Sequence, residues 1–306
     1  RVLINENLAL YTYFKIGGPA DYFVTVKSSQ ELKEIILLAE ASKTPWFILG
    51  GGSNILVGDL GYRGLVIKNE ADKIATGRTG RYIPRNDGYA MLTAESGVKM
   101  VKLAAFANEN GLAGLEVFMS VPGTLGGAVF NNSHFRPEKN EFIGNLVESA
   151  EILEGRRKKE KGRRESKIVD KKWFRFGYDY SRLHDEPGVV LKVKFRLKKA
   201  DAEKLKAKSL ELLKERNIRQ PVGQSSCGCM FKNPDGLSAG QLIDDAEMKG
   251  KRVGGAMISD KHANFVINTG GAKATEVLKL MELIKEAVKT KSGIDLEPEI
   301  FMVGEF

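Results

Sequence analysis

Three consecutive glycines, Gly50-Gly51-Gly52, followed by Ser53 and Asn54, interrupt the chain directly after the apolar run Trp46-Phe-Ile-Leu. A strand that feeds a backbone without Cβ atoms can turn sharply and bring successive N–H groups close to an anion. Ser53 and Asn54 add side-chain donors. The loop is no nucleoside-triphosphate P-loop, because no Gly-Lys-Ser/Thr follows. Nor does it open the long helix of a Gly-x-Gly-x-x-Gly dinucleotide loop, since Ile55-Leu-Val reads as strand. On these residues alone, a phosphate cradle and a plain tight turn both stay open. A second cluster, Val121-Pro122-Gly123-Thr124-Leu-Gly126-Gly127, favours the cradle. Two such loops in adjacent domains can grip an extended dinucleotide from both ends, although this cluster alone fits a closely packed turn equally well.

A chain of 306 residues exceeds what one hydrophobic core usually serves, so two or three domains are expected. No stretch reaches the roughly 18 uninterrupted apolar residues of a membrane span. Residues 1–10 lack a basic region followed by an apolar core, so no secretory leader is expected and the cytoplasm is the default. Cys227 and Cys229 are the only cysteines, too few for a disulfide framework or a zinc site, so no metal is expected. The formal charge is +9, and much of the excess sits at residues 156–164, Arg-Arg-Lys-Lys-Glu-Lys-Gly-Arg-Arg. No aromatics interleave with those charges, as base stacking would require, so a solvated hairpin tip is preferred to a nucleic-acid patch.

Ala20-Asp-Tyr-Phe-Val-Thr-Val reads as a strand. Ser28 or Ser29 caps a helix through Glu40, with Leu32, Ile35, Ile36 and Ala39 on one face. Gly64-Leu-Val-Ile-Lys is another strand, and a small α/β region ends near residue 70. A second region holds a strand at Tyr89-Ala-Met-Leu-Thr-Ala, a helix from Lys99 to Asn110 stopped by Gly111, the charged hairpin, and the alternating strand Val189-Val-Leu-Lys-Val-Lys-Phe-Arg-Leu. After Asp201 come a basic helix to Asn217, a helix capped by Ser238 and running to Met248, a strand Ala263-Asn-Phe-Val-Ile-Asn, a helix from Lys273 to Thr290, and a last strand Glu299-Ile-Phe-Met-Val. The segments 1–70, 71–200 and 201–306 are therefore expected as three domains.

Seven motifs in order resemble one family, the UDP-N-acetylenolpyruvoylglucosamine reductases, the FAD enzymes of bacterial cell-wall synthesis. They are Phe14-Lys-Ile-Gly-Gly-Pro-Ala, Leu49-Gly-Gly-Gly-Ser-Asn-Ile-Leu-Val, Val121-Pro-Gly-Thr-Leu-Gly-Gly-Ala-Val, Phe176-Gly-Tyr, Gly228-Cys-Met-Phe-Lys-Asn-Pro, Lys261-His-Ala-Asn-Phe and Leu296-Glu-Pro-Glu-Ile. The resemblance implies an α+β chain: a two-part FAD-binding module of the vanillyl-alcohol-oxidase/PCMH type in residues 1–70 and 71–200, plus a C-terminal α+β substrate domain. It implies FAD held by residues 50–54 and by Pro122, Gly123, Thr124, Gly126 and Gly127. NADPH would reduce the flavin, and UDP-N-acetylglucosamine enolpyruvate would then take hydride from flavin N5 and a proton at the neighbouring carbon. The segment from Arg182 to Asn217 leaves no room for an extra substrate-gripping Tyr loop, so the chain resembles the subclass without it. A monomer with no nucleic-acid or membrane partner is expected.

The resemblance places the proton donor at Cys229, where the family usually has Ser. A thiol with a pKa near ~8.5 is a far better acid than an alkyl alcohol. Cys227 is read as structural. Glu299 matches the second Glu of the family's Leu-Glu-Pro-Glu and would polarise the enolpyruvyl carboxylate or relay a proton. Lys232 and Asn233 would meet the diphosphate. The family's Phe-Gly-Tyr-Arg-x-Ser carries an Arg that stabilises the enolate oxygen, whereas this chain has Asp179 there. Arg182 is the nearest substitute and Arg175 a poorer one. His262 is left outside the catalytic set. The rivals are another FAD oxidoreductase of the same architecture, such as an alcohol or sugar-lactone oxidase, and a basic nucleic-acid-binding protein.

Overall fold

A computed structural model describes residues 1–75, 83–84, 87–154 and 165–306. Four strands hydrogen-bond in the order Val2–Asn7, Pro19–Val26, Tyr62–Asn69, Trp46–Leu49. Local sequence sets the helices. Ser28 takes an extended backbone and accepts from Glu31 N–H, which starts the helix Ser29–Ala41. That helix buries Leu32, Ile36 and Ala39, one residue per turn of its inner face.

The chain divides into two compact units. One comprises Arg1–Val24, Gly51–Val66 and Glu215–Phe306; the other comprises Thr25–Gly50 and Ile67–Lys214. Neither is contiguous in sequence. The physical reason is visible in the first unit, where Phe14, Ile16 and Leu56 share one core with Met230, Phe231, Ile258, Val266, Leu280 and Ile284. Apolar side chains far apart in sequence satisfy the same burial.

The larger unit is built on an antiparallel sheet ordered Ser166–Asp170, Val147–Glu154, Gly188–Lys199, Tyr89–Glu95, Ile74–Ala75. Register places Val193 opposite Ala94, Phe195 opposite Leu92 and Leu197 opposite Ala90, so the apolar positions of neighbouring strands stack on one face. The helices Met100–Glu109 and Leu125–Phe130 bury Leu103, Ala107, Leu125 and Val129 in the same core. Leu153 pairs with Ser166 in the antiparallel register of Val147–Glu154 and Ser166–Asp170, and residues 156–164, expected as a hairpin tip, lie outside the described residues.

In the smaller unit, Arg252–Val253, Ala256–Ile258 and Val266–Asn268 form a three-stranded antiparallel sheet. The helix Ala274–Ser292 lays Val277, Leu280, Met281, Ile284 and Val288 into its core. Phe301–Val303 runs parallel to Ile55–Val57, with Phe301 opposite Ile55 and Val303 opposite Val57. The strand that leaves the triple-glycine loop therefore finds its partner at the far end of the sequence.

Candidate active site

Gly50, the first glycine of the loop, belongs to the larger unit. A Cβ there would stand 2.5 Å from Thr124 Oγ1, so the first glycine cluster meets the second through bare backbone against a threonine. Lys68 Nζ donates to the Gly50 carbonyl at 2.5 Å and pins it. Burial holds the Lys68 ammonium below its ordinary lysine value; Glu70 opposes that shift and Lys99 adds to it. No motif marks Lys68 in the sequence; its only local signal is a place near the end of the strand Tyr62–Asn69.

The next residues belong to the smaller unit. Gly52 sits at φ +67°, and a Cβ would come within 2.6 Å of the Tyr11 carbonyl, so both conformation and space demand glycine. Its own carbonyl accepts from Tyr13 N–H at 2.9 Å. Asn54 accepts from Phe301 N–H at 3.1 Å and donates its amide to the Glu299 carbonyl at 3.4 Å. Among the described residues, no hydrogen bond engages the backbone N–H groups of Gly51, Gly52 or Ser53. Those donors suit an anion such as a diphosphate.

In the second cluster, Gly123 accepts from Met100 N–H and Gly126 donates to the Ser96 carbonyl at 2.7 Å. A Cβ on Gly126 would press to 3.1 Å of that same carbonyl, whereas Gly127 has ordinary room. Gly126 is thus required by packing against the turn at Ser96, and Gly127 leaves its surface open. Pro122 is half-buried and Thr124 buried.

Cys229 and Glu299 sit on hydrogen-bonded neighbouring segments of the smaller unit. Glu299 N–H donates to the Met230 carbonyl and Lys232 N–H to the Glu297 carbonyl, both at 2.9 Å, and Phe231 bridges Pro298. On the other side Cys229 bridges Phe265, and the buried Asn264 side chain closes both the N–H and the carbonyl of Phe231. Gly228, at φ +91°, turns the chain so that its Cβ position lies 4.0 Å from the Ser53 carbonyl. The segment that carries Cys229 therefore starts beside the triple-glycine loop, and Asn54 ties that loop to Glu299. Cys229 and Glu299 are both half-buried.

Cys227 differs from Cys229 in every respect but chemistry. It is 1% exposed, and its Sγ lies 3.8 Å from Met230 Sδ. Burial pushes its thiol far above the ordinary range, with the charge of Glu299 acting in the same direction. Arg216, on the last turn of the helix Ala202–Arg219, was not anticipated. Burial lowers its guanidinium, and the charge of Cys229 opposes that shift, so Arg216 lies within electrostatic reach of the thiol. Nothing local distinguishes Arg216 from the other basic residues of that helix. Lys232 pairs with Glu297 at 3.5 Å, and Asn233 accepts from Ala239 N–H at the start of the helix Ala239–Asp245.

Arg182 lies in the larger unit. Its guanidinium pairs with Glu186 at 2.6 Å, stands over the Trp173 ring at 4.8 Å, and is 16% exposed. Arg175 reaches Glu186 only at 4.0 Å. Asp179 is buried and takes a left-handed φ of 46°. Among the described residues, no helix is long and apolar enough to cross a membrane, and no group of His, Cys, Asp and Glu is placed to hold a metal.

A mixed helix-and-strand chain with two glycine loops and open backbone donors is that of an FAD oxidoreductase, and residues 20–156 match the FAD binding domain family. Residues 220–303 match the C-terminal domain of UDP-N-acetylenolpyruvoylglucosamine reductase. The reductase of that name from Clostridium beijerinckii is 37% identical, covering 100% of this chain and 94% of its own. Its counterpart from Caldicellulosiruptor bescii is 41% identical, covering 99% and 91%. The crystal structure of UDP-N-acetylenolpyruvylglucosamine reductase from Thermus caldophilus superposes with a TM-score of 0.76 at 32% identity, over 99% of this chain and 98% of that one. The chain belongs to the UDP-N-acetylenolpyruvoylglucosamine reductase family.

Proposed function

We propose that the protein reduces the enolpyruvyl group of UDP-N-acetylglucosamine enolpyruvate to UDP-N-acetylmuramate for peptidoglycan synthesis, drawing on NADPH through FAD. The observation that carries this reading is the pairing of the Cys229 and Glu299 segments beside Ser53 and Asn54 of the glycine loop. Bound FAD supplies hydride storage between NADPH and the substrate's double bond. Gly50, Gly51, Gly52, Ser53 and Asn54, with Pro122, Gly123, Thr124, Gly126 and Gly127, would hold it.

Cys229 keeps a proton on Sγ and gives it to the carbon next to the one that receives hydride, which completes the lactyl ether. The thiolate left behind lies within electrostatic reach of Arg216, whose charge would offset it. Glu299 polarises the substrate carboxylate or relays a proton, and Lys232 and Asn233 meet the diphosphate. Arg182 is the guanidinium nearest in sequence to the position of the family Arg. Residues 1–70 and 71–200 would carry the FAD functions and residues 201–306 the substrate functions, in a cytoplasmic monomer without nucleic-acid partners.

NADPH consumption with UDP-N-acetylglucosamine enolpyruvate tests the reading on the wild type, Cys229→Ser and Cys229→Ala. Serine should retain part of the turnover and alanine should lose about 10²-fold or more. Flavin reduction by NADPH should survive in both variants. Unimpaired turnover in Cys229→Ala removes the thiol from the mechanism, and a purified protein that takes up no FAD rejects the reading altogether.

A further inference from the structure

Lys68 is a half-buried cation without a carboxylate. It stands in the strand Tyr62–Asn69, which neighbours Trp46–Leu49 in the sheet, and Trp46–Leu49 runs straight into Gly50. Among the described residues its ammonium makes no ion pair, and its one hydrogen bond goes to the Gly50 carbonyl. Burial lowers that ammonium, Glu70 opposes the shift, and the like charge of Lys99 adds to it. Lys99 bridges Thr124 through the backbone, and Thr124 is the residue that bare Gly50 meets. Lys99 likewise makes no ion pair among the described residues. Two cations that repel each other where the glycine clusters meet are relieved by an anion bound there.

The Gly50 carbonyl is half of a peptide group whose other half is the Gly51 N–H. In a trans peptide the two point in opposite directions across one plane, so whatever fixes the carbonyl also fixes the N–H. Such a plane turns over through ψ of the residue before it and φ of the residue after it. Here both residues are glycine, which restricts those angles least. A side chain at Gly50 cannot supply the restraint, because a Cβ would stand 2.5 Å from Thr124 Oγ1. The hydrogen bond from Lys68 supplies it instead. Gly51 N–H takes part in no hydrogen bond among the described residues, so it is a donor held in place and unused. A cation on the carbonyl also polarises the amide and strengthens its N–H as a donor.

We propose that Lys68 is the positioning residue of the cofactor loop: it locks the Gly50–Gly51 peptide so that the Gly51 N–H is a preset, polarised donor for the diphosphate of FAD. The ammonium stays on the carbonyl side of the peptide and acts through the loop rather than on the phosphates. This rests on the proposed assignment of residues 50–54 to the cofactor.

Calorimetric titration of the flavin-stripped full-length chain with FAD tests the role. Lys68→Met keeps the length of the side chain and loses its charge and donor. Its Kd for FAD should rise at least about tenfold, the scale of one charge-assisted hydrogen bond. Lys68→Arg keeps charge and donor and should stay within about threefold of wild type. The pH profile separates a working ammonium from a side chain that only fills space. Because the ammonium is depressed, wild-type affinity should be full at neutral pH and fall as pH rises toward the ordinary lysine value of 10.5. Lys68→Arg, which keeps its proton throughout, should show no such fall.

Glycine labelled with ¹³C′ and ¹⁵N confines an HNCO spectrum to the Gly-Gly peptides, which substitution assigns. The Gly50–Gly51 signal should move when FAD is added to the wild type. In Lys68→Met it should be displaced before any FAD is present, with Gly254–Gly255 and Gly270–Gly271 unmoved as proof of an intact fold.

A Lys68→Met chain that binds FAD as tightly as wild type overturns the proposal. So does a wild-type affinity that falls with pH no more than that of Lys68→Arg. A Gly50–Gly51 signal that FAD leaves unmoved in the wild type overturns it by removing this loop from the cofactor, although FAD still binds. A wild-type chain that takes up no FAD sinks the reductase reading first, and this inference with it.

Discussion

Two thiols separated by one glycine meet opposite surroundings. Cys227 is buried against Met230, and its thiol is pushed far up by desolvation, while Cys229 is half-buried beside a bridge to Phe265. Only a thiolate attacks an alkylating reagent, so the two should differ sharply in rate. Iodoacetamide on the native protein, followed by mass spectrometry of the peptides, should modify Cys229 at least about tenfold faster than Cys227. Equal labelling would contradict the environments described. The identity of Cys229 as the point of interest was legible from Gly228-Cys-Met-Phe-Lys-Asn-Pro. The partner of Asp179 was not, because His134, whose Nε2 lies 3.2 Å from Asp179 Oδ1, is remote in sequence and no local spacing marks it. Arg216 was equally hidden, since only the folded helix brings it near Cys229.

At the scale of elements, the caps were the readable part. Ser28 and Ser238 each accept from the N–H three residues on, as a helix start requires. Ends and strand lengths were less readable where a side chain or a neighbour took over a backbone group. The helix from Ala239 stops at Asp245 rather than Met248, because Glu247 turns to φ 57°. The strand at 263–268 shortens to Val266–Asn268 next to Asn264, whose side chain serves Phe231. The last strand starts at Phe301, since Glu299 N–H is given to Met230. The longest helix carries a cap from outside its own sequence. Asp59 accepts from Ala274 N–H at 2.7 Å and from Thr275 N–H and Oγ1. Burial opposes its ionisation, but those donors and the charge of Lys273 outweigh burial and hold the carboxyl below its ordinary value. Asp59→Ala should therefore cost about 1 kcal/mol in urea unfolding near neutral pH. Because the folded value is depressed, this contribution is full above about pH 3.8 and fades as pH falls through the folded value. A variant as stable as wild type at neutral pH would show the cap to be idle.

For the whole molecule, apolar periodicity predicted which faces are buried but not which core receives them. Phe14-Lys-Ile looks like the start of an N-terminal domain, yet Phe14 and Ile16 lie among Met230, Ile258 and Leu280. Acid stability should report on the same unit. Burial, with the charge of Lys249 adding to it, holds His262 below its ordinary value of 6.5, and its Nδ1 accepts from Asn264 N–H. A depressed folded value means that the unfolded chain binds the proton first. The stability from neutral His262 is therefore complete above about pH 6.5 and is lost as pH falls toward the folded value. His262→Gln should flatten the decline in unfolding free energy across that window, and an unchanged slope would assign acid sensitivity to other groups.

The discontinuity of the smaller unit also constrains how the protein is made. Its core joins Arg1–Val24 and Gly51–Val66 to Glu215–Phe306, and Ile55–Val57 waits for Phe301–Val303 as its parallel partner. On the ribosome, Phe14, Ile16 and Leu56 emerge well before the residues of Glu215–Phe306 that they pack against. Until that later stretch has been made, these three side chains lack the neighbours that bury them in the folded core, so this unit closes only after synthesis has passed Glu215–Phe306.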